Sequence, residues 1–243
     1  MRRFEGKTAL VVGGSRGIGA GIVRRLAAEG ATVALTYSAS AEAAGDLVRE
    51  IEQDGGHAFA ARADSADADA LREAVARSAT RLGGLDVLVV NAGILLRGDI
   101  AEVTLDQLDR ILAVNVRGMF LAIQAAVPHL RRDGRVITIG SNTVGRVAVP
   151  GTSLYVMTKA AVGAMVRALA LDLAPRGITI NNLQPGPTET DMTSGHVEIV
   201  RNMVPLGRIA QPAEIAGFVA YLASAEAGYV TGASLTIDGG FSV

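Results

Sequence analysis

The chain contains no cysteine. Disulfides, thiolate nucleophiles and zinc–sulfur sites are therefore excluded. Lysine is almost missing as well: of 23 Lys and Arg residues, only Lys7 and Lys159 are lysines. The three histidines, His57, His129 and His196, are scattered without a metal-ligand spacing, and His196 reads as a solvated loop residue. The formal charge of −1 offers no cationic excess for a nucleic acid polymer or an anionic membrane surface. No uninterrupted apolar run reaches the ~18 residues of a membrane span. The first apolar run breaks at glycines too early for a signal peptide, so the expectation is a cytoplasmic protein without metal.

What is present is a chain of 243 residues, 49% hydrophobic, long enough for one well-filled core. Short apolar runs at 8–12, 31–37, 57–63, 85–90, 135–140, 178–183 and 234–237 read as strands buried on both faces. Helical patterns lie between them. In 41–52, Ala44, Leu47, Val48 and Ile51 share one stripe, while 104–131 and 153–175 are long and apolar on more than one face. This βαβ order predicts an α/β fold: a doubly wound, parallel, seven-stranded sheet with helices on both faces, Rossmann-like, in a single domain over 1–243.

After the first strand comes GGSRGIG, with Gly13, Gly17 and Gly19. Glycines there allow a tight turn and close backbone approach, and a helix N-terminus receives a pyrophosphate. Proteins of this kind that prefer NAD place an acid at the end of the second strand for the ribose 2′-hydroxyl. Here that end reads Leu35-Thr36-Tyr37-Ser38, and Arg16 stands in the glycine loop. A guanidinium with Ser38 suits a 2′-phosphate, so NADPH/NADP+ is favoured; the alternative is a solvated loop arginine.

These pieces, with Asp64, Asn91-Ala92-Gly93, NVRG (115–118), Ser141, YVMTK (155–159), PGPTETDM (185–192) and YVTGASLTIDGG (229–240), resemble the short-chain dehydrogenase/reductase family along essentially the whole chain. The resemblance implies a cofactor site of Gly13, Ser15, Arg16, Gly17, Ile18, Gly19, Tyr37 and Ser38. It implies that Asp64 accepts from the adenine amine, although a solvated strand-end carboxylate is the plain alternative. Asn91, Ala92 and Gly93 turn beside the adenosine ribose. Pro185, Gly186, Thr188 and Thr190 hold the nicotinamide end, unless Thr190 and Asp191 cap a helix. Val12 departs from the family, which usually has a threonine there to brace the loop.

Tyr155 and Lys159 stand four apart, on one face of a helix. An ammonium and an oxidised nicotinamide both lower a phenol pKa of about 10. Lysine at this position serves as a compact charge that arginine does not replace. By resemblance, the catalytic set is Asn115, Ser141, Tyr155 and Lys159. Tyr155 protonates the alkoxide formed from a small-molecule carbonyl substrate, Ser141 donates to the carbonyl oxygen, and Asn115 holds a water leading to Lys159. Ser141 lies fourteen residues before Tyr155; many relatives have thirteen, which falls on Asn142, and the longer spacing resembles fungal naphthol reductases. Leu95, Leu96, Val147, Val149, Met192 and Met203 are candidate apolar lining. The resemblance extends to 3-oxoacyl-carrier-protein reductases, with Arg132 and Arg176 as a docking site for an acidic carrier protein. It extends also to a group proposed to bind cyclic di-guanylate. An NAD-linked alcohol or sugar dehydrogenase and a nucleotide-binding regulator are the alternatives to a reductase. The long apolar helices and the tail ASLTIDGGFSV predict a homotetramer.

Overall fold

The structure, a computed structural model, describes residues 2–243 and leaves out the His196 side chain, so the solvated reading of that histidine lies outside the described residues. Seven parallel strands run in the order β3-β2-β1-β4-β5-β6-β7. They are β1 (Thr8–Val12), β2 (Thr32–Tyr37), β3 (His57–Arg62), β4 (Leu85–Val90), β5 (Leu130–Ile139), β6 (Thr179–Pro185) and β7 (Ser234–Ile237). The helices are α1 (Gly17–Ala28), α2 (Ala41–Gln53), α3 (Ala68–Arg81), α4 (Leu105–Leu112), α5 (Met119–Ala126), α6 (Ser153–Leu173), α7 (Val197–Arg201) and α8 (Pro212–Ala223).

The Val- and Leu-rich strands are apolar on both sides because both sides are covered. One core packs α1, α2 and α8 on one face; the other packs α3, α5 and α6 on the opposite face. All five residues of β1 are buried, each large apolar side chain contributing about 1.5–3 kcal/mol. β1 is central. The chain leaves it toward β2 and β3 on one side, then crosses back to β4 on the other. Loops after β1 and β4 therefore diverge, leaving a crevice at the carboxyl ends of the strands.

Two expectations need correction. The helix expected over 104–131 is three pieces: α4, a π-helical turn at Ala113–Gly118, and α5. It ends in a 3-10 turn at Val127–His129 that contains Pro128, and β5 starts at Leu130, earlier than expected. The irregular start of β5 includes Asp133, a non-glycine residue at φ 59°. Second, although no sequence run is uninterrupted, Leu105–His129 and Ser153–Arg176 are long and apolar enough to cross a bilayer by length and composition. Within them, α5 and α6 pack against the sheet, and part of their apolar character belongs to the second core.

The π turn is held tightly. A Cβ on Gly118 would stand 2.3 Å from the Ser65 carbonyl oxygen, a backbone atom with little room to yield. Gly118→Ala is expected to lower unfolding free energy by about 1–3 kcal/mol, read from chemical denaturation; an unchanged midpoint would show that the two segments separate freely.

Candidate active site

A cleft of about 880 Å³ opens at the carboxyl edge of the sheet. Every residue expected to bind cofactor lines it except Gly19. Gly19 lies behind, where a Cβ would stand 2.2 Å from the Gly13 carbonyl oxygen. Gly13 has φ 78°, and a Cβ on it would press to 2.7 Å on Ala92 Cα. The loops after β1 and β4 thus touch backbone to backbone, which only glycine permits.

The threonine that Val12 replaces has a substitute. The Thr36 hydroxyl, on β2, accepts from Gly13 N at 3.1 Å, and Asn91 Nδ2 donates to Gly13 O at 2.7 Å. Thr36 was missed in the sequence, although a buried threonine opposite a glycine turn is a readable signal. Arg16 reaches across the cleft to Asp191 at 3.3 Å, both groups being exposed. Asp64 accepts from Ala66 N at 2.9 Å and from Arg110 at 3.2 Å. The Ala66 bond, with help from Arg110 and against partial burial, holds its carboxyl below the usual range. Thr190 and Asp191 cap no helix; they sit in a turn where Thr190 N donates to the Thr193 hydroxyl at 3.1 Å. Thr188 is buried and its hydroxyl donates to Gly186 O at 3.0 Å.

The far end of the cleft holds Ser141, Tyr155 and Lys159. Lys159 is 3% exposed. Its ammonium donates to Ile139 O, at the end of β5, at 2.8 Å and lies 5.6 Å from the Tyr155 ring centroid. Asn115 is fully buried in the π turn, as both an irregular turn and a positioned amide. Its Oδ1 accepts from Ile94 N at 2.8 Å, and its Nδ2 donates to Ile94 O at 2.9 Å and approaches the Thr158 hydroxyl at 3.1 Å. It clamps the backbone N–H and C=O of one residue after β4. A Cβ on Gly93 would stand 3.4 Å from Lys159 Nζ and 3.5 Å from Asn115 Oδ1, so the two polar groups flank the same small space.

Ser141 and Asn142 differ in their partners. Both line the cleft; Ser141 Oγ accepts from Thr143 N at 3.3 Å and Thr143 Oγ1 at 3.0 Å, whereas Asn142 Nδ2 is engaged with Asp238 at 3.3 Å. Burial pushes the Tyr155 phenol above 10, with the Ser141 hydrogen bond opposing it. Burial pushes Lys159 down to about 8. In the chain alone, then, the phenol shifts opposite to the sequence-based expectation: desolvation disfavours both charges.

Of the expected apolar lining, Leu95, Leu96, Val149, Met192 and Met203 take part, and Val147 is instead 60% exposed. Arg146 and Phe241 line the cleft and were missed. Arg132 and Arg176 do not line it; they sit near the amino ends of β5 and β6. Arg176 donates to Val127 O at 2.7 Å and also to Leu130 O, so its charge is spent on closing a helix end.

This is the arrangement of a dinucleotide-binding fold, with the crevice at the strand-order reversal. A family model described as enoyl-(acyl carrier protein) reductase matches residues 12–242. The cyclic-di-GMP-binding biofilm dispersal mediator protein of Escherichia coli is 43% identical, covering 99% of both chains. The 3-oxoacyl-[acyl-carrier-protein] reductase FabG of Staphylococcus aureus is 40% identical over 96% of this chain and 97% of its own. A short chain dehydrogenase from Burkholderia cenocepacia, solved in complex with NADP, superposes with TM-score 0.96 at 47% identity, covering 99% of this chain and 100% of its own. The chain belongs to the short-chain dehydrogenase/reductase family of oxidoreductases.

The buried ammonium yields a stability prediction. A fall from 10.5 to about 8 corresponds to about 3 kcal/mol against folding, present in full below about 8. Between there and 10.5 the folded lysine is neutral while the unfolded one keeps its proton, so the burden lifts as pH rises. Lys159→Met is expected to be about 2 kcal/mol more stable than the unaltered chain near neutral pH, after loss of one hydrogen bond. The gap narrows toward pH 10. Denaturation midpoints at both ends of this window check it; a variant less stable at neutral pH would refute it.

Proposed function

We propose that the protein reduces a ketone-type or 3-oxoacyl carbonyl with NADPH, with Tyr155 as the proton donor. The observation that carries this reading is a partly buried phenol with a buried ammonium 5.6 Å from its ring centroid, both lining one glycine-bordered cleft. The names of the 3-oxoacyl-carrier-protein reductase and of the NADP complex add to it.

The residues present fit the cofactor. Side chains at Gly13 or Gly19 would collide with backbone, and the amide groups of Ser15, Gly17 and Ile18 lie at the start of α1, where an anion is favoured. NADPH bound there supplies the hydride. In this reading Arg16 exchanges Asp191 for the 2′-phosphate, joined by Ser38 and Tyr37. Asp64, Asn91, Ala92 and Gly93 surround the adenosine. Pro185, Gly186, Thr188 and Thr190 hold the carboxamide. Tyr155 transfers its proton to the developing alkoxide, and Ser141 donates a hydrogen bond to the same oxygen. Lys159 stabilises the phenolate left behind, and Asn115, with Lys159 across Gly93, orders the water that restores the proton. We assign these roles within a single 1–243 unit. A homotetramer is part of the proposal, supported by the exposed Phe120, Met157 and Leu171 on α5 and α6; light scattering tests it. Arg132 and Arg176 give no support to carrier-protein docking.

The absence of an acid at position 38 disfavours an NAD-linked alcohol or sugar dehydrogenase. A second reading, a nucleotide-binding regulator, rests on the name of the E. coli relative. Fluorescence titration with NADPH, NADH and cyclic di-GMP separates them, followed by a panel of ketones and β-ketoesters. NADPH is expected to bind more tightly than NADH, and Arg16→Ala to weaken NADPH about tenfold or more with little effect on NADH. Tyr155→Phe is expected to keep NADPH binding and lose about 10²–10⁴ in turnover. Cyclic di-GMP binding with no ketone turned over would favour the regulator; failure to bind either dinucleotide would sink the cofactor reading.

A further inference from the structure

The segment after β7 folds back into the cleft. Asp238 accepts from Asn142 Nδ2 at 3.3 Å, Gly240 N at 3.0 Å and Ser242 N at 2.9 Å. Gly239 and Gly240 reverse the chain at φ 64° and 87°. Each is packed against the segment that borders the cleft after Met203: a Cβ would stand 2.8 Å from Val204 and 3.1 Å from Pro205, respectively. Leu206 N donates to Gly239 O at 3.2 Å. On the other side, a Cβ on Gly186 would stand 2.4 Å from Asp238 Cβ. One short turn therefore touches the loop that carries Ser141, the strap at Gly186 and the 203–206 segment.

The turn delivers Phe241, which is 6% exposed yet lines the cleft. Its carbonyl accepts from Arg146 at 2.5 Å, and that guanidinium stands 5.3 Å from the ring centroid, within the range of a cation–π contact. The ring is fixed at both its backbone and its face. Tyr37 and Tyr155 are the other aromatic residues among the described lining residues; one belongs to the cofactor end and the other to the reaction. Phe241 is the large, rigid apolar group left for the substrate end, with Met192, Met203 and Val149 as more adaptable neighbours.

We propose that Phe241, presented by the 238–243 turn, is a specificity-determining residue that sets the upper size of the apolar substituent on the ketone. The proposal rests on the reductase reading above. A hydrophobic wall discriminates by about 10–200-fold per methylene step, and removing a ring opens space for several. A ring that only filled the core would, when cut back, weaken the protein and slow all substrates alike.

The test compares ethyl acetoacetate with ethyl benzoylacetate, which differ by methyl against phenyl on the reacting ketone, in the intact chain with NADPH. The ratio of kcat/KM for the bulky over the compact ester is expected to rise about tenfold or more in Phe241→Ala, chiefly through KM, with an intermediate rise in Phe241→Leu. The Kd for NADPH should stay as in the unaltered protein. Where Phe241→Ala fails to fold, shown by loss of NADPH binding, Phe241→Leu decides. A ratio unchanged in variants that bind NADPH normally overturns the proposal. An unaltered chain that turns over no ketone overturns the reductase reading and this inference with it, and is seen before any variant is made.

Discussion

A buried ammonium held by one backbone carbonyl is the constraint around which the site is arranged. Lys159 has three protons to donate, and Ile139 O takes one. A charge in so little water is costly, and the fold tolerates it because α6 is anchored by apolar contacts through Val162, Val166 and Ala170. The two remaining donors are thus available to whatever enters the cleft, and they strengthen as water leaves. The stability of the second core supports a local arrangement that is unfavourable by itself.

The rest of the cleft is built by bringing separate loops to the carboxyl edge of one sheet. Gly13 meets Ala92, and Asn115 clasps Ile94. Each contact joins a segment to one far away in sequence, and each uses either a missing Cβ or a buried amide with both groups satisfied. Such joints are rigid. Arg16 and Asp191, by contrast, meet in solvent across the opening, where an ion pair contributes little. The walls are fixed by packing, whereas the entrance is linked only by a weak and screened attraction.

Much of this was legible in the sequence. β1, β4 and β7 fall at their expected bounds because apolar runs flanked by glycine or charge admit few readings. That the expected site residues would gather in one cleft was legible for a different reason: glycine loops and a Tyr–Lys pair at helical spacing are set by residue type and local spacing. What escaped depended on distant contacts. Thr36, Arg146 and Phe241 are ordinary residues until the fold sets them against Gly13 or the cleft. Arg132 and Arg176 show the converse, since sequence alone gave no indication that they lie away from the strand ends that carry the site.

The π turn has a consequence in phase. A regular helix advances about 100° per residue, and a π turn uses one residue more than an α turn to make its circuit. Downstream of Gly118, every side chain is therefore rotated by about one residue relative to an unbroken helix from Leu105. The stripe that α5 lays on the sheet, through Met119, Ala122, Ile123 and Ala126, is out of step with the stripe of α4. Removing one residue between 113 and 118 would make the helix more regular, yet it would swing either Asn115 off Ile94 or α5 off its core. The local irregularity thus reconciles two faces, one serving the fold and one serving the site, that no single helical repeat satisfies together.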